Sequence, residues 1–165
     1  MDDREATLRR WLADHRGILV RLSRAYAQGP DDEEDLLQEI VLALWRSLPS
    51  FRGEARESTW IFQVALQVAL SRRRARARRP LSTPLESAPE PAADGQAEAF
   101  DRLRWSTVLQ ALRRLAPVDR AVLLLALEGA TQQEIGDVLG VTANAAGVKL
   151  HRARRRLTNL LEARP

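Results

Sequence analysis

Cysteine is absent from this 165-residue chain, and histidine occurs only twice, at His15 and His151. The lack of cysteine excludes disulfide scaffolds, thiolate zinc sites and cysteine nucleophiles. Two histidines so distant in sequence argue against a histidine-based metal site. No apolar run approaches the roughly 20 residues that span a membrane, and the charged start MDDREATLRRW lacks the apolar core of a signal peptide. We expect a cytoplasmic protein without metal or cofactor.

Charge is unevenly distributed along the chain, although the net charge is only +4. Six acids and one base lie in 31–50, whereas 71–80 holds six arginines and no acid. Four acids and no base lie in 81–100, and 131–165 holds six bases and three acids. Two basic blocks in separate halves favour two contacts with a polyanion such as nucleic acid. Solvated basic faces are the alternative interpretation.

Proline divides the chain, because four of the eight prolines lie within PLSTPLESAPEPAADG (80–95). This stretch has neither helical nor strand periodicity and is typical of an extended linker. Apolar residues recur at helical spacing on both sides of it. The sequence therefore predicts an all-α protein. We expect two small helical domains, 1–80 and 101–165, joined by a flexible acidic Pro/Ala linker over 81–100.

Three helices are predicted in the N-terminal domain. The first runs through Leu8, Trp11 and Leu22 to Tyr26 without a break. The second carries an apolar stripe behind an acidic first turn, which suits the helix dipole. The third is long and ends in the arginine block. The residues that mark their limits are Gly29-Pro30, Asp31 or Asp32 as N-cap, Pro49, Ser58 or Thr59, and Pro80.

The C-terminal domain has helix-turn-helix spacing. Thr131-Gln-Gln-Glu134 fits a capping box, Gly136 is small where two helices cross, and Gly140 suits a tight turn. Thr142 is positioned to cap a last helix that reaches about Glu162. Its predicted buried stripe is Ala146, Leu150, Ala153, Leu157 and Leu160.

The opposite face of this last helix carries Asn144, Val148, His151, Arg152, Arg155 and Asn159. Asparagine pairs with adenine, valine meets a thymine methyl, and arginine reads guanine or phosphate in a major groove. A helical hairpin with a solvated basic face is the alternative. Gly147 inside the helix costs about 0.5–1 kcal/mol relative to alanine, which counts against a recognition helix unless close approach to DNA requires it.

Two features of the N-terminal domain point to binding surfaces. The acids of 31–39 precede an amphipathic helix and predict a protein-docking surface, with capping and solubility as the alternative. No turn glycine lies within the cluster, so a calcium loop is not expected. In FRGEARESTW (51–60), Phe51 and Trp60 lie near Arg52 and Arg56 and are suited to stack unpaired bases and hold phosphates. Trp60 and Phe62 as core residues are the alternative.

Together these motifs resemble the extracytoplasmic-function (ECF) group of the sigma-70-type factors of bacterial RNA polymerase. EDLLQEIVLALWRSLPSFRG (34–53) resembles the core-polymerase-binding helix and the loop after it. STWIFQVALQVALSRRRARAR (58–78) resembles the helix that melts the promoter and reads the −10 element. The stretch 112–157 resembles the domain that reads the −35 element.

The resemblance implies a sigma factor, not an enzyme, that directs promoter-specific initiation. Asp35, Gln38 and Glu39 would face the polymerase clamp helices. The 50–57 loop would hold a flipped −10 base. The residues implied for the −10 element and melting are Phe51, Arg52, Arg56, Trp60, Arg72, Arg73, Arg74 and Arg76. Those implied for the −35 element are Thr142, Asn144, Val148, Lys149, His151, Arg152 and Arg155.

The implied partners are core RNA polymerase (the clamp helices of the largest subunit and the flap of the second largest), promoter DNA and an anti-sigma factor, with no small-molecule substrate. The sequence departs from the family pattern at several positions. Gln63, Leu66 and Gln67 replace two bases and an asparagine, and Ser71 replaces an aspartate. The usual TVKSRLHR is AAGVKLHR (145–152) here.

Two other functions fit parts of the sequence. A stand-alone helix-turn-helix regulator with an N-terminal sensing or dimerisation domain would bind specific duplex DNA tightly by itself. A helical adaptor would show no salt-dependent affinity for DNA. A sigma factor differs from both because it binds promoter DNA weakly until polymerase joins its two halves on one DNA.

Overall fold

The fold comes from a computed structural model that describes residues 3–78 and 96–163, with side chains in the second range described from 103 onward. Within these ranges every regular element is helical, so the all-α prediction is confirmed. The helices are α1 (Asp3–Asp14), α2 (Arg16–Tyr26), α3 (Pro30–Ser47), α4 (Glu57–Ala77), α5 (Gln96–Arg114), α6 (Pro117–Leu127), α7 (Gln132–Leu139) and α8 (Ala143–Glu162). A single 3-10 turn, Leu48–Ser50, follows α3.

The N-terminal segment forms two helices, so the prediction of one continuous helix to Tyr26 is wrong. The break lies at His15, whose backbone (φ −113°, ψ 17°) is not helical. Between Leu12 and Ile18 the apolar stripe is interrupted by ADHRG. No large apolar side chain therefore anchors this turn to the core, and the chain divides into α1 and α2 there.

The start of α3 also differs from the sequence prediction. The helix begins at Pro30 with Gly29 as its N-cap and without a side-chain cap, so neither Asp31 nor Asp32 is the N-cap. Proline is favoured at the first helical position because its missing N–H is not needed there. Asp32 accepts a hydrogen bond from the Gln28 backbone N–H at 2.8 Å and otherwise faces α4.

The helix-turn-helix prediction is confirmed in its local chemistry. The Thr131 hydroxyl accepts from the Glu134 N–H (3.2 Å), and the Glu134 carboxylate accepts from the Thr131 N–H (2.7 Å), which completes the capping box. Gly140 ends α7 in the left-handed conformation (φ 68°). A Cβ on Gly136 would lie 2.6 Å from the Val141 carbonyl oxygen, so only glycine fits where α7 meets the turn before α8.

The core is one continuous cluster of buried side chains to which both halves of the chain contribute, from Trp11 to Leu150. Helices α2 and α4 of the first half pack against α5, α6 and α7 of the second. Helix α5 begins at Gln96, inside the segment predicted as linker, and the remainder of that segment, 81–95, lies outside the described residues. In the free protein the two predicted domains therefore share an interface.

Candidate polymerase and nucleic-acid interfaces

The outer face of α3 presents the residues implied for polymerase docking. Gln38 is exposed, and the side chains of Asp35 and Glu39 are 66% and 48% exposed. The apolar side chains Leu36, Ile40 and Leu44 bury the opposite face. Helical periodicity thus separates a packed face from an acidic face that a partner can reach.

This acidic face is bound to the arginine block of α4. Arg72 donates from Nε and Nη2 to the Asp32 carboxylate at 3.1 and 2.7 Å, and Arg76 donates from Nη1 to the same carboxylate at 2.6 Å. Arg72 also pairs with Glu39, and its Nη2 lies 3.5 Å from Asp35. Three carboxylates on α3 therefore hold two guanidinium groups on α4.

The arginines implied for −10 binding consequently form two groups. Arg72 and Arg76 are 18% and 29% exposed and engaged in the ion pairs with α3. Arg73 and Arg74 are exposed, and Arg74 donates to the Ser71 hydroxyl at 3.2 Å. Within the described part of the chain no carboxylate pairs with Arg73 or Arg74. These two present their charge directly to solvent.

An aromatic cluster supports the loop between α3 and α4. The Phe51 ring lies 5.1 Å from the Trp11 ring, edge to face, and 5.6 Å from the Trp60 ring. Phe62 is 1% exposed and belongs to the core, whereas Phe51 and Trp60 are half-buried. Arg52 is exposed on the same loop. The structure thus brings Phe51, Trp60 and Arg52 together beside the start of α4.

The residues that depart from the family pattern lie either in the core or on the surface of α4. Leu66 is 4% exposed and packs in the core, so the leucine there alters packing inside the protein and not its surface. Gln63, Gln67 and Ser71 are exposed along one face of α4. Gln67 and Ser71 also line a groove of about 490 Å³ between α3 and α4. On the surface of α4, Gln63 and Ser71 are therefore uncharged where the family pattern has a base and an aspartate, and Gln67 replaces one amide by another.

Helix α8 separates its buried stripe from its polar face as predicted. Ala146 and Ala153 are fully buried and Leu150 is 8% exposed. Thr142 is the N-cap, and its hydroxyl accepts from the Ala145 N–H at 3.2 Å. Lys149 is half-buried. The exposed members of the implied −35 set are Thr142, Asn144, Val148, His151, Arg152 and Arg155.

The loop before α4 is held against the helix-turn-helix by Glu134. Arg56 donates from Nη2 to Glu134 Oε2 at 2.9 Å and to the Gly129 carbonyl at 3.2 Å. The Thr59 hydroxyl lies 3.2 Å from Glu134 Oε1. Glu134 therefore both caps α7 and binds the candidate −10 loop, and the charge of the exposed Arg56 is paired in this arrangement.

A second set of contacts joins α2 to α5 and α6. Arg21 Nε donates to Glu128 at 2.8 Å, and the Tyr26 hydroxyl donates to the Pro117 carbonyl at 2.7 Å. Arg120, 8% exposed, donates to the Ala25 carbonyl at 2.7 Å and to carbonyls at the end of α5. Its guanidinium thus caps the C-terminal ends of two helices, where the helix dipole favours positive charge.

Comparison with known proteins decides the family. Residues 11–79 match sigma-70 region 2, and residues 106–157 match sigma-70 region 4. The ECF RNA polymerase sigma factor SigM of Mycobacterium tuberculosis is 33% identical over 149 residues, covering 89% of this chain and 73% of SigM. The chain belongs to the ECF sigma factors. It therefore directs promoter-specific transcription initiation, and the domain composition predicted from the sequence is confirmed.

Solved structures of sigma factors agree with this assignment. CnrH, solved in complex with the cytosolic domain of CnrY, aligns with a TM-score of 0.69 and 25% identity over 98% of this chain and 91% of CnrH. RpoE of Bartonella quintana, solved with the anti-sigma factor NepR, aligns with the same TM-score of 0.69 at 20% identity, over 95% and 98% of the two chains. The second likeness establishes the fold alone.

Two features are absent from residues 3–78 and 96–163 of the sigma factor. No group of three or more histidine and acidic side chains is placed to hold a metal ion. No helix there is long and apolar enough to cross a membrane.

The sequence did not predict the contacts of two residues, Asp32 and Glu134, that organise these surfaces of the sigma factor. Asp32, Asp35 and Glu39 are spaced three and four residues apart, and Arg72 and Arg76 are four apart, so each set shares one helix face. That spacing was the available signal for the ion-pair cluster. Glu134 gave no such signal, because its contact with Arg56 joins residues 78 positions apart.

The stability of the sigma factor is expected to depend on pH through Glu134. Burial raises the pKa of this carboxyl, but hydrogen bonds from Thr131 and Arg56 outweigh burial and lower the pKa to about 2, from 4.5. A lowered folded-state pKa stabilises the protein above about pH 4.5, and this stability is lost as pH falls toward 2. Thermal melts at pH 6, 4 and 3 should show a falling midpoint, with a shallower fall in Glu134→Gln. Parallel curves for the two proteins would contradict this role of Glu134.

Proposed function

We propose that this sigma factor docks on core RNA polymerase through Asp35, Gln38 and Glu39 of α3. The exposure of these polar side chains on a helix whose other face is buried supports the proposal. The partners are the clamp helices of the largest subunit and, for the C-terminal half, the flap of the second largest subunit. The factor contributes recognition and catalyses no reaction, and it works in the cytoplasm with polymerase and DNA.

The −35 element is read by α8 in the major groove. The single observation that carries the DNA-binding proposal is the exposed row Asn144, Val148, His151, Arg152 and Arg155 on the second helix of a capped helix-turn-helix. Its amide, methyl and guanidinium groups match the edges of adenine, thymine and guanine. Thr142 and Lys149 act at the margin of this face, as cap and as phosphate contact.

The −10 element is held, as a single strand, by the 50–57 loop and by α4. Phe51 and Trp60 provide stacking surfaces beside Arg52, and the exposed Arg73 and Arg74 bind phosphates. Flipping a base costs a few kcal/mol, which the loop pocket and strand contacts offset. Arg56, Arg72 and Arg76 join the strand only after they exchange their carboxylate partners for phosphate.

Promoter binding requires the two halves of the free protein to separate. The −35 and −10 elements are about 25 base pairs apart by their own numbering, which is about 85 Å at 3.4 Å per base pair. Arg56 of the −10 loop is hydrogen-bonded directly to Glu134 of the helix-turn-helix. One closed molecule therefore cannot engage both elements. Polymerase opens it by binding the halves at separate sites, with 1–80 and 101–165 as the moving units and 81–100 as the linker.

An anti-sigma factor is the partner that keeps this protein closed. The structural relative RpoE was solved with such a factor, NepR. A partner that binds only the closed form stabilises it by mass action. The acidic face of α3 is the expected docking surface, because a partner bound there excludes polymerase.

Reconstitution with core polymerase tests the proposed function. The purified protein is mixed with bacterial core polymerase, separated by gel filtration and assayed for transcription on a library of genomic promoters. Co-elution with new, discrete start sites supports the proposal. Tight, specific binding to duplex DNA without polymerase, and no co-elution, would favour a stand-alone helix-turn-helix regulator.

A further inference from the structure

Gly147 has an unexpected neighbour at the edge of the recognition face. A Cβ built on Gly147 would lie 2.9 Å from Oε1, 3.0 Å from Cδ and 3.1 Å from Nε2 of Gln132. The amide group of Gln132, the first residue of α7, therefore occupies the space that any other side chain at position 147 would fill. Gly147 leaves space for the Gln132 side chain. This explains the presence of a glycine inside α8, where it lowers helix stability.

The Gln132 amide borders the surface that faces DNA. At about 100° per residue, position 147 lies about 60° around α8 from Asn144 and about 40° from His151. Asn144, His151 and Gln132 are all exposed. An amide lying over Gly147 therefore extends the row of polar groups on α8 with one contributed by α7.

The Gln132 amide is also chemically uncommitted. No hydrogen bond to it occurs among residues 3–78 and 96–163, whereas its neighbour Gln133 donates to Asp137 at 2.8 Å. A glutamine amide has two donors and one acceptor, and it pairs bidentately with the N6 and N7 of adenine. It thus has the chemistry to read a base edge.

We propose that Gln132, seated over Gly147, is a specificity-determining residue that reads an adenine at the edge of the −35 element. This proposal rests on the proposed reading of that element by α8. Gly147 is the positioning residue, because the missing Cβ lets the Gln132 amide lie against the recognition helix.

The test uses holoenzyme, formed from the full chain and core polymerase, on promoters randomised through the −35 element. The wild type should select a defined −35 sequence, and Gln132→Ala should lose its preference at one position by about 5- to 150-fold while the others stay unchanged. Gln133→Ala is the matched control, because this neighbouring glutamine is engaged with Asp137, and its preferences should equal those of the wild type.

Gly147→Ala separates this role from a structural one. The added methyl displaces only the flexible end of Gln132, so the gain in helix propensity should raise the thermal midpoint by about 1–4 °C. The same base preference should be lost, and Gln132→Ala should cause no further loss in the Gly147→Ala protein.

Three results with the variants would overturn the proposal, and so would a fourth result with the wild type alone. Equal weakening on every sequence would mean that Gln132 contacts phosphate. Unchanged preferences in Gln132→Ala would mean that Gln132 reads no base. Additive losses in the double variant would mean that Gln132 and Gly147 do not act together. If the wild type itself selects no −35 sequence, the proposed reading by α8 fails, and with it the basis of this inference.

Discussion

Replacing Arg120 by alanine is expected to be the most destabilising single change on the interface between the halves. Its guanidinium donates to the carbonyls of Leu112 (3.0 Å), Arg113 (2.8 Å), Leu115 (3.1 Å) and Ala25 (2.7 Å). Each buried acceptor left without a donor costs about 1–3 kcal/mol. We expect a loss of about 3 kcal/mol or more in the free energy of unfolding, against a total of about 5–15 kcal/mol for a small protein.

Urea unfolding followed by circular dichroism measures this loss. Arg120→Lys should recover only part of the stability, because an ammonium group cannot span four carbonyls that a planar guanidinium reaches together. Arg114→Ala removes an exposed arginine at the end of α5 and should change stability by less than about 0.5 kcal/mol. If Arg120→Ala were as stable as Arg114→Ala, the guanidinium would not be the cap of α2 and α5.

Replacing Glu39 by arginine is expected to abolish binding to core polymerase. The side chain is 48% exposed on the acidic face of α3, where it forms an ion pair with Arg72. Charge reversal places a cation where the proposed docking on the clamp helices uses an anion, and it leaves Arg72 next to a like charge. Like charges across an interface cost several kcal/mol, so the affinity should fall on the order of a hundredfold or more.

The matched control for this variant is Glu162→Arg. Glu162 is exposed on α8 and is not part of the docking face of α3. The two variants carry the same change in net charge. Fluorescence anisotropy with labelled core polymerase should show wild-type affinity for Glu162→Arg and none for Glu39→Arg. Equal losses in both would point to net charge or misfolding and contradict the docking face.

Local chemistry explains why much of this fold was predictable. The capping box of Thr131 and Glu134, the φ of Gly140 and the buried stripe of α8 follow from residues within one or two turns of each other. Helix limits were less predictable where signals compete. Pro30 displaced the expected aspartate caps of α3, and the polar stretch around His15 divided the first helix.

The partners of the charged residues were much less predictable, because ion pairs join distant parts of the chain. Arg72 and Arg76 meet Asp32 only because α3 and α4 pack side by side, 40 and 44 positions apart in sequence. Arg56 meets Glu134 only because the two halves close on each other. Neither periodicity nor a family resemblance contains that information, since both describe each motif separately.

The distance between the halves tests the central claim, that this sigma factor is closed when free and open when it works. The natural chain has no cysteine, so exposed Ala13→Cys and Thr158→Cys, in α1 and α8, give two unique sites for fluorescent dyes. Energy transfer between them should be high in the free protein and should drop when core polymerase and promoter DNA are added. High transfer that persists in a complex active in transcription would contradict the account.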